Sequence, residues 1–283
     1  MSKSRAESLI DLDRYPIDRP KSAAYRKLIA EIRSELEEDG CAVLSGFVRE
    51  DQAQALVEEA ASVEGEAHRS FNRTNPYFTT DDPTLPASHP VRRFFDRSNA
   101  FVPADNFGPD SPLRQIYEWP PFEPFVKTAL DETEFYRYAD PLADVIINVV
   151  EPGGGFPWHF DTNNFTVTLA IREAQAGGEF EYCPRLRSAT DEDYQRVEAV
   201  LDGDRSAVKT LTLKSGDLQL FRGRYTLHRV SPVAGDVTRY VGIFSYAQTP
   251  NMVANPERCK QLYGRVLPIH YEQGTKRHDT FLD

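Results

Sequence analysis

The sequence predicts an α+β protein, with helices in its first half and an antiparallel β-barrel or sandwich in its second. Three observations carry this. Apolar residues recur at three- and four-residue steps up to about residue 62. After residue 144 they alternate with polar residues or run in short β-rich blocks. Gly-bearing turns separate those blocks, as they do in sandwiches and barrels built of short strands.

Residues 1–20 are polar and carry Pro16 and Pro20, which predicts an arm on the surface. From Ser22 to Asp39, Tyr25, Leu28, Ile29, Ile32 and Leu36 mark one face of an amphipathic helix that Gly40 stops. Cys41 to Phe47 is a short apolar run of strand type. Residues 50–62 form a second helix, with Ala53, Leu56, Val57 and Ala60 on one face. Residues 68–112 have no clear period, and so long a loop in a compact domain is usually functional or poorly ordered. A third helical stretch, about 111–130, is interrupted by WPPFEP.

The strands expected after that are 144–150, 165–171 and 177–183. Gly153, Gly154, Gly155 and Pro157 form a turn between the first two. Residues 190–204 read as an inserted surface helix. Residues 208–213 and 218–221 then form a hairpin about KSGD, and 239–247 is the last long strand. The expected organisation is an arm (1–20), one domain (21–250) and a polar C-terminal tail (251–283), in which His270 and His278 are exposed.

With 40% hydrophobic residues, 17 Phe and 13 Tyr among 283 residues, the chain can bury a substantial core without staples. A net charge of −11 argues against sequence-independent nucleic-acid binding, which needs a basic footprint. Cys41, Cys183 and Cys259 are isolated and odd in number, which fits reduced thiols rather than a disulfide framework or a cysteine zinc site. No signal-like apolar core opens the chain, and no run approaches the ~18 apolar residues of a membrane span. The expectation is a cytoplasmic protein that binds a small molecule.

The chemistry concentrates in WHFDTNN, where His159 and Asp161 stand two residues apart. Residues i and i+2 of an extended chain share a face, so both side chains can reach one point. A third His would complete a two-His, one-carboxylate triad with open coordination positions, the set that suits non-haem iron. Of the other five histidines, His228 is the one placed within the β half. Taken alone, His-x-Asp is weak evidence, and a core His hydrogen-bonded to a neighbouring Asp is the commoner reading. Arg239, at a strand start eleven residues after His228, adds weight, because a buried guanidinium needs an anion and its fork suits a carboxylate.

In this order of motifs the sequence resembles the iron(II)/2-oxoglutarate oxygenase superfamily. The matching segments are WHFDTNNFTVTLAI, GGEFEY and KSGDLQLFRGRYTLHRVSP, followed by Arg239. The opening EDGCAVLSGFVREDQAQALVEEA is similar to phytanoyl-hydroxylase-like members, and the likeness spans about residues 35–250. It implies a double-stranded β-helix core of jelly-roll or cupin-like type. It also implies iron(II) on His159, Asp161 and His228, with 2-oxoglutarate and O2 as co-substrates and the far carboxylate of 2-oxoglutarate on Arg239. Asn148 and Thr168 are further candidates to contact 2-oxoglutarate, though a structural Asn and simple β-propensity explain them as well.

A narrower resemblance, through WHF, GGEFEY and HRVSPV, is to a bacterial group of radical halogenases and hydroxylases of free amino acids. In its halogenases Gly or Ala replaces the carboxylate ligand so that chloride can bind. Asp161 departs from that pattern, so the resemblance implies hydroxylation of an unactivated C–H bond. Desaturation or ring closure at the same iron site, and a non-catalytic cupin-like ligand or metal binder, are the alternatives. For an amino-acid substrate, Arg97 is the candidate for the α-carboxylate and Asp105 for the ammonium. Phe156 and Thr162 bracket the metal pair and suit a less polar side chain.

Overall fold

The computed structural model describes residues 4–69 and 72–274; His278 lies outside them. Local capping chemistry places the first helices. Ser4 and Glu7 form a capping box at the start of α1 (Arg5–Leu9). Ser22 accepts from the Tyr25 N–H to open α2 (Ala23–Asp39), and Gly40 closes it at φ 67°, where a Cβ would be strained. The expected surface arm is in fact anchored. Leu9, Ile10, Tyr15 and Ile17 are buried in the main core, while the polar residues between them face solvent. Helix α3 (Glu50–Val63) follows as expected. The WPPFEP interruption separates α4 (Pro112–Glu118) from α5 (Phe122–Leu130), because proline cannot continue a helix.

Eleven strands build the two main sheets. They are β1 (Cys41–Leu44), β2 (His68–Arg69), β3 (Ala100–Val102), β4 (Val145–Val150), β5 (Phe156–His159), β6 (Thr166–Arg172), β7 (Phe180–Cys183), β8 (Lys209–Leu211), β9 (Leu218–Phe221), β10 (Leu227–Val230) and β11 (Arg239–Phe244). The seven-stranded sheet runs β1-β9-β6-β11-β4-β3-β2 and the four-stranded sheet β8-β7-β10-β5. All the pairings are antiparallel. The strand that begins at Phe156 takes in Pro157, which the sequence had placed in the preceding turn.

Alternation along the large sheet separates two environments. Ile147, Val149, Val167, Leu169, Leu218 and Leu220 join the main core with Ile29, Ile32, Leu36, Leu56 and Phe122 of the helices. The intervening residues Ile146, Asn148, Thr166, Thr168, Gln219, Arg239 and Val241 face a cavity that the small sheet closes with Phe156, Phe180 and His228. Helix α6 (Tyr194–Leu201) packs separately, with Val197 and Val200 against Tyr77 and Phe160.

Two expectations are corrected. Residues 208–213 and 218–221 do not pair as a hairpin: β8 joins the small sheet and β9 the large one, so the KSGD turn carries the chain between sheets. The buried Asp217 carboxylate locks this crossing by accepting from the N–H groups of Lys214 (2.8 Å) and Gly46 (2.7 Å). Residues after 250 are not a plain tail either. They form α7 (Pro256–Tyr263) and α8 (Pro268–Gln273), and His270 is buried. No helix among the described residues is long and apolar enough to cross a membrane.

Asp217→Ala should lower unfolding stability by about 3 kcal/mol, because it leaves two backbone N–H groups without their charged acceptor. The midpoint of urea unfolding, at constant slope, measures this.

Candidate active site

His159 ends β5 and lies opposite His228 of β10 in register. Between His159 and Asp161, Phe160 turns to the other side, fully buried and stacked on Tyr77 with centroids 5.3 Å apart. That leaves His159 and Asp161 on one face. Each imidazole Nδ1 sits on the carbonyl two residues before it, His159 on Pro157 (2.8 Å) and His228 on Thr226 (2.9 Å). A carbonyl only accepts, so Nδ1 carries the proton and Nε2 keeps its lone pair. Both Nε2 atoms face Asp161 Oδ1, at 3.6 Å from His159 and 3.5 Å from His228.

The second oxygen of Asp161 accepts from the Thr166 hydroxyl, and the Asp161 N–H donates to the Gly223 carbonyl (3.1 Å). A Cβ at residue 223 would lie 1.9 Å from Asp161 Oδ2, so only glycine lets the carboxylate take this place. Burial, and then the neighbouring His228 charge, push the His159 pKa down to about 4, which favours the neutral form a metal needs. Three donor atoms of the His, Asp, His set converge within 4.8 Å of one another. Two imidazoles and one carboxylate of this kind fit a divalent iron centre.

The triad opens on a cavity of 230 Å³. Arg239, Asn148 and Thr168 lie on its wall, brought together by the registers Val241↔Asn148 and Ile243↔Thr168. Arg239 is buried with no acid beside it among the described residues, and burial pushes its pKa down to about 10. The Asn148 Oδ1 is buried without a partner. Thr168 donates to Gln219 (3.0 Å), whose amide reaches Cys41 Sγ (3.2 Å). Gln219 escaped the sequence reading, although alternation along LQLF points it inward.

Arg97, Phe156 and Thr162 line the same cavity. Phe156 stacks on His159 with centroids 3.7 Å apart. The Arg97 guanidinium lies over Phe156 (4.5 Å), Phe101 (5.4 Å) and Phe78 (5.9 Å). Asp105 does not belong to the site. It sits on a short surface turn, and its carboxylate is taken by Arg265 at 2.6 and 2.7 Å. Arg258, Leu262 and Tyr263 of α7 complete the lining, and nothing in the sequence of the expected tail signals them.

Asp140, Cys259 and His270 form a second, wholly buried group of potential metal donors. Its hydrogen bonds argue for a structural role. His270 Nδ1 accepts from the Leu267 N–H (2.8 Å), so Nε2 carries the proton and gives it to Asp140 (3.1 Å). Asp140 also accepts from the N–H groups of Leu142 (2.8 Å) and Ala254 (2.9 Å). No imidazole lone pair is left for an ion. The cluster instead ties the segment before α7, and α8, to the turn at Asp140, which is why His270 is buried.

Gly223→Ala and Thr166→Val should each weaken iron(II) binding at least tenfold while leaving far-ultraviolet circular dichroism unchanged, since both disturb the orientation of a ligand. Anaerobic titration calorimetry reads the affinity.

The halogenase D family model matches residues 24–262. No match to a curated protein sequence was found. Three solved structures share the fold. The epimerase SnoN in complex with Fe3+, alpha ketoglutarate and nogalamycin RO superposes with a TM-score of 0.54 at 13% identity, over 78% of this chain and 84% of that one. AviO1 from Streptomyces viridochromogenes Tue57 gives 0.52 at 17% identity, over 78% and 95%. The non-heme alpha ketoglutarate dependent carbocyclase SnoK from nogalamycin biosynthesis gives 0.52 at 15% identity, over 75% and 81%. These likenesses establish a double-stranded β-helix core with helices packed on it. The chain belongs to the halogenase D family, within the iron(II)/2-oxoglutarate oxygenase superfamily.

Proposed function

We propose that the protein is an iron(II)- and 2-oxoglutarate-dependent hydroxylase of a small, carboxylate-bearing substrate such as an amino acid or its derivative. The observation that carries this reading is the position of Asp161 Oδ1, 3.5–3.6 Å from both imidazole Nε2 atoms. The carboxylate stands where the halogenases of the resembling group have Gly or Ala. Three protein ligands and a two-toothed co-substrate leave a six-coordinate ion one position, so halide has no site of its own.

His159, Asp161 and His228 hold the metal. When bound, it supplies the activation of oxygen needed to break an unreactive C–H bond. The overall change converts substrate, O2 and 2-oxoglutarate into alcohol, succinate and carbon dioxide. Arg239 takes the far carboxylate of 2-oxoglutarate, and its burial without an acid partner leaves that charge for the co-substrate. Asn148 and Thr168 lie beside it as hydrogen-bonding groups. Arg97 holds the substrate carboxylate, while Phe156 and Thr162 wall the space next to the metal. Asp105 has no part in substrate binding, since Arg265 occupies it.

Two experiments test this reading. In chloride buffer the major product should be hydroxylated by mass spectrometry; a chlorinated major product would show that Asp161 is not a ligand. Arg239→Gln should raise the apparent 2-oxoglutarate constant at least tenfold, because a charge-assisted pair contributes about 1.5–3 kcal/mol and 1.4 kcal/mol is tenfold. An unchanged constant would assign the co-substrate to another cation.

A further inference from the structure

The cavity carries information about the part of the substrate that is not oxidised. Arg97 is 3% exposed. Its Nε donates to Asn99 (2.8 Å), while Nη1 is buried without a partner. A buried cation lacking an anion is destabilising, so a site that keeps one has an anion to receive. Three phenylalanine rings surround the guanidinium, and Phe156 continues the stack to the His159 imidazole. An anion held at Nη1 is therefore one ring removed from the metal ligands.

Asp161 is the one carboxylate among the described lining residues, and it faces the two imidazoles. The nearby Asp140 is fully occupied by Leu142, Ala254 and His270. Asp105 points away to Arg265. A second guanidinium, that of Arg258, faces the same chamber from α7 and lies 5.1 Å from the Phe78 ring. A cationic side chain entering here would meet like charge and, among the described lining residues, find no acid besides Asp161. Ala143, Ile146, Ile243, Ala254 and Leu262 form an apolar stretch of the wall, and the polar lining residues beside it, such as Tyr138, Asn163 and Ser245, carry no negative charge.

We infer that the substrate is a carboxylate with an uncharged, apolar body, its carboxylate on Arg97 and its body against this wall, and that basic amino acids are rejected. The inference rests on the oxygenase reading above. It extends that reading by naming what surrounds the carboxylate.

The test begins with the iron(II) protein under anaerobic conditions. Formation of the visible charge-transfer band on adding 2-oxoglutarate reports the oxygenase reading by itself; its absence would overturn that reading and this inference together. With the band present, succinate release in air is compared for leucine, phenylalanine, their deaminated analogues isocaproate and hydrocinnamate, lysine and glutamate. Release at least tenfold above background with one of the first four, and none with lysine or glutamate, is expected. Stimulation by the deaminated acids as well as the amino acids identifies the carboxylate alone as the recognised group, and stimulation by the amino acids alone adds the amine to it; both support the inference. Lysine or glutamate as the best stimulant, or no stimulation by any of the six, would overturn it.

Arg97→Met separates recognition from structure. It should keep the charge-transfer band, raise KM for the stimulating acid at least tenfold, and leave the thermal midpoint unchanged or higher, because it removes an uncompensated buried charge. A lower midpoint with KM unchanged would make Arg97 a structural residue and overturn the assignment.

Discussion

The two-residue alternation across the large sheet is the constraint on which everything else rests. Along β4, β6, β9 and β11, each apolar residue turned to the helices alternates with one turned to the cavity. A one-residue slip would put a neighbour such as Val149, Leu169 or Tyr240 where Asn148, Thr168 or Arg239 now stands, and turn the polar side chain toward the helices. The same register that packs the core therefore positions the co-substrate wall. The crossing held by Asp217 matters for the same reason, since it delivers β9 to the large sheet in phase.

The site is held at some cost to the fold. Among the described residues, Arg97 and Arg239 are buried cations with no acid beside them, and the Asn148 carbonyl oxygen is buried without a donor. Each disfavours folding by the desolvation of a polar group, and all three face one cavity. By contrast, Asp140, Asp217 and His270 are equally buried and fully hydrogen-bonded. These satisfied groups fasten segments together, whereas Arg97, Arg239 and Asn148 face the cavity.

Much of this was legible in the residues. Periodicity placed α2 and α3, WPPFEP marked the break between α4 and α5, alternation placed β6, and β-rich runs placed β4 and β11. The spacing of His159 and Asp161, with one later His in the β half, marked the set that the structure brings together. What escaped has physical causes. The KSGD turn looks like a hairpin because turn residues specify a reversal of the chain and not the sheet that receives the next strand. Asp105 carries charge like any site acid, and only its distant partner Arg265 shows that it is engaged elsewhere. The segment after 250 is polar on average, which hid Cys259, Tyr263 and His270, three buried residues spaced along two short helices.

That closing segment has a consequence for the order in which the protein becomes functional during synthesis. Every proposed metal ligand and Arg239 precede residue 250, so the strands that carry them are made before α7 and α8. The wall formed by α7 is added afterwards, and Asp140, more than a hundred residues upstream, must wait for Ala254 and His270 to fill its acceptor positions. The last-made part of the cavity wall is thus the one that carries Arg258, Leu262 and Tyr263.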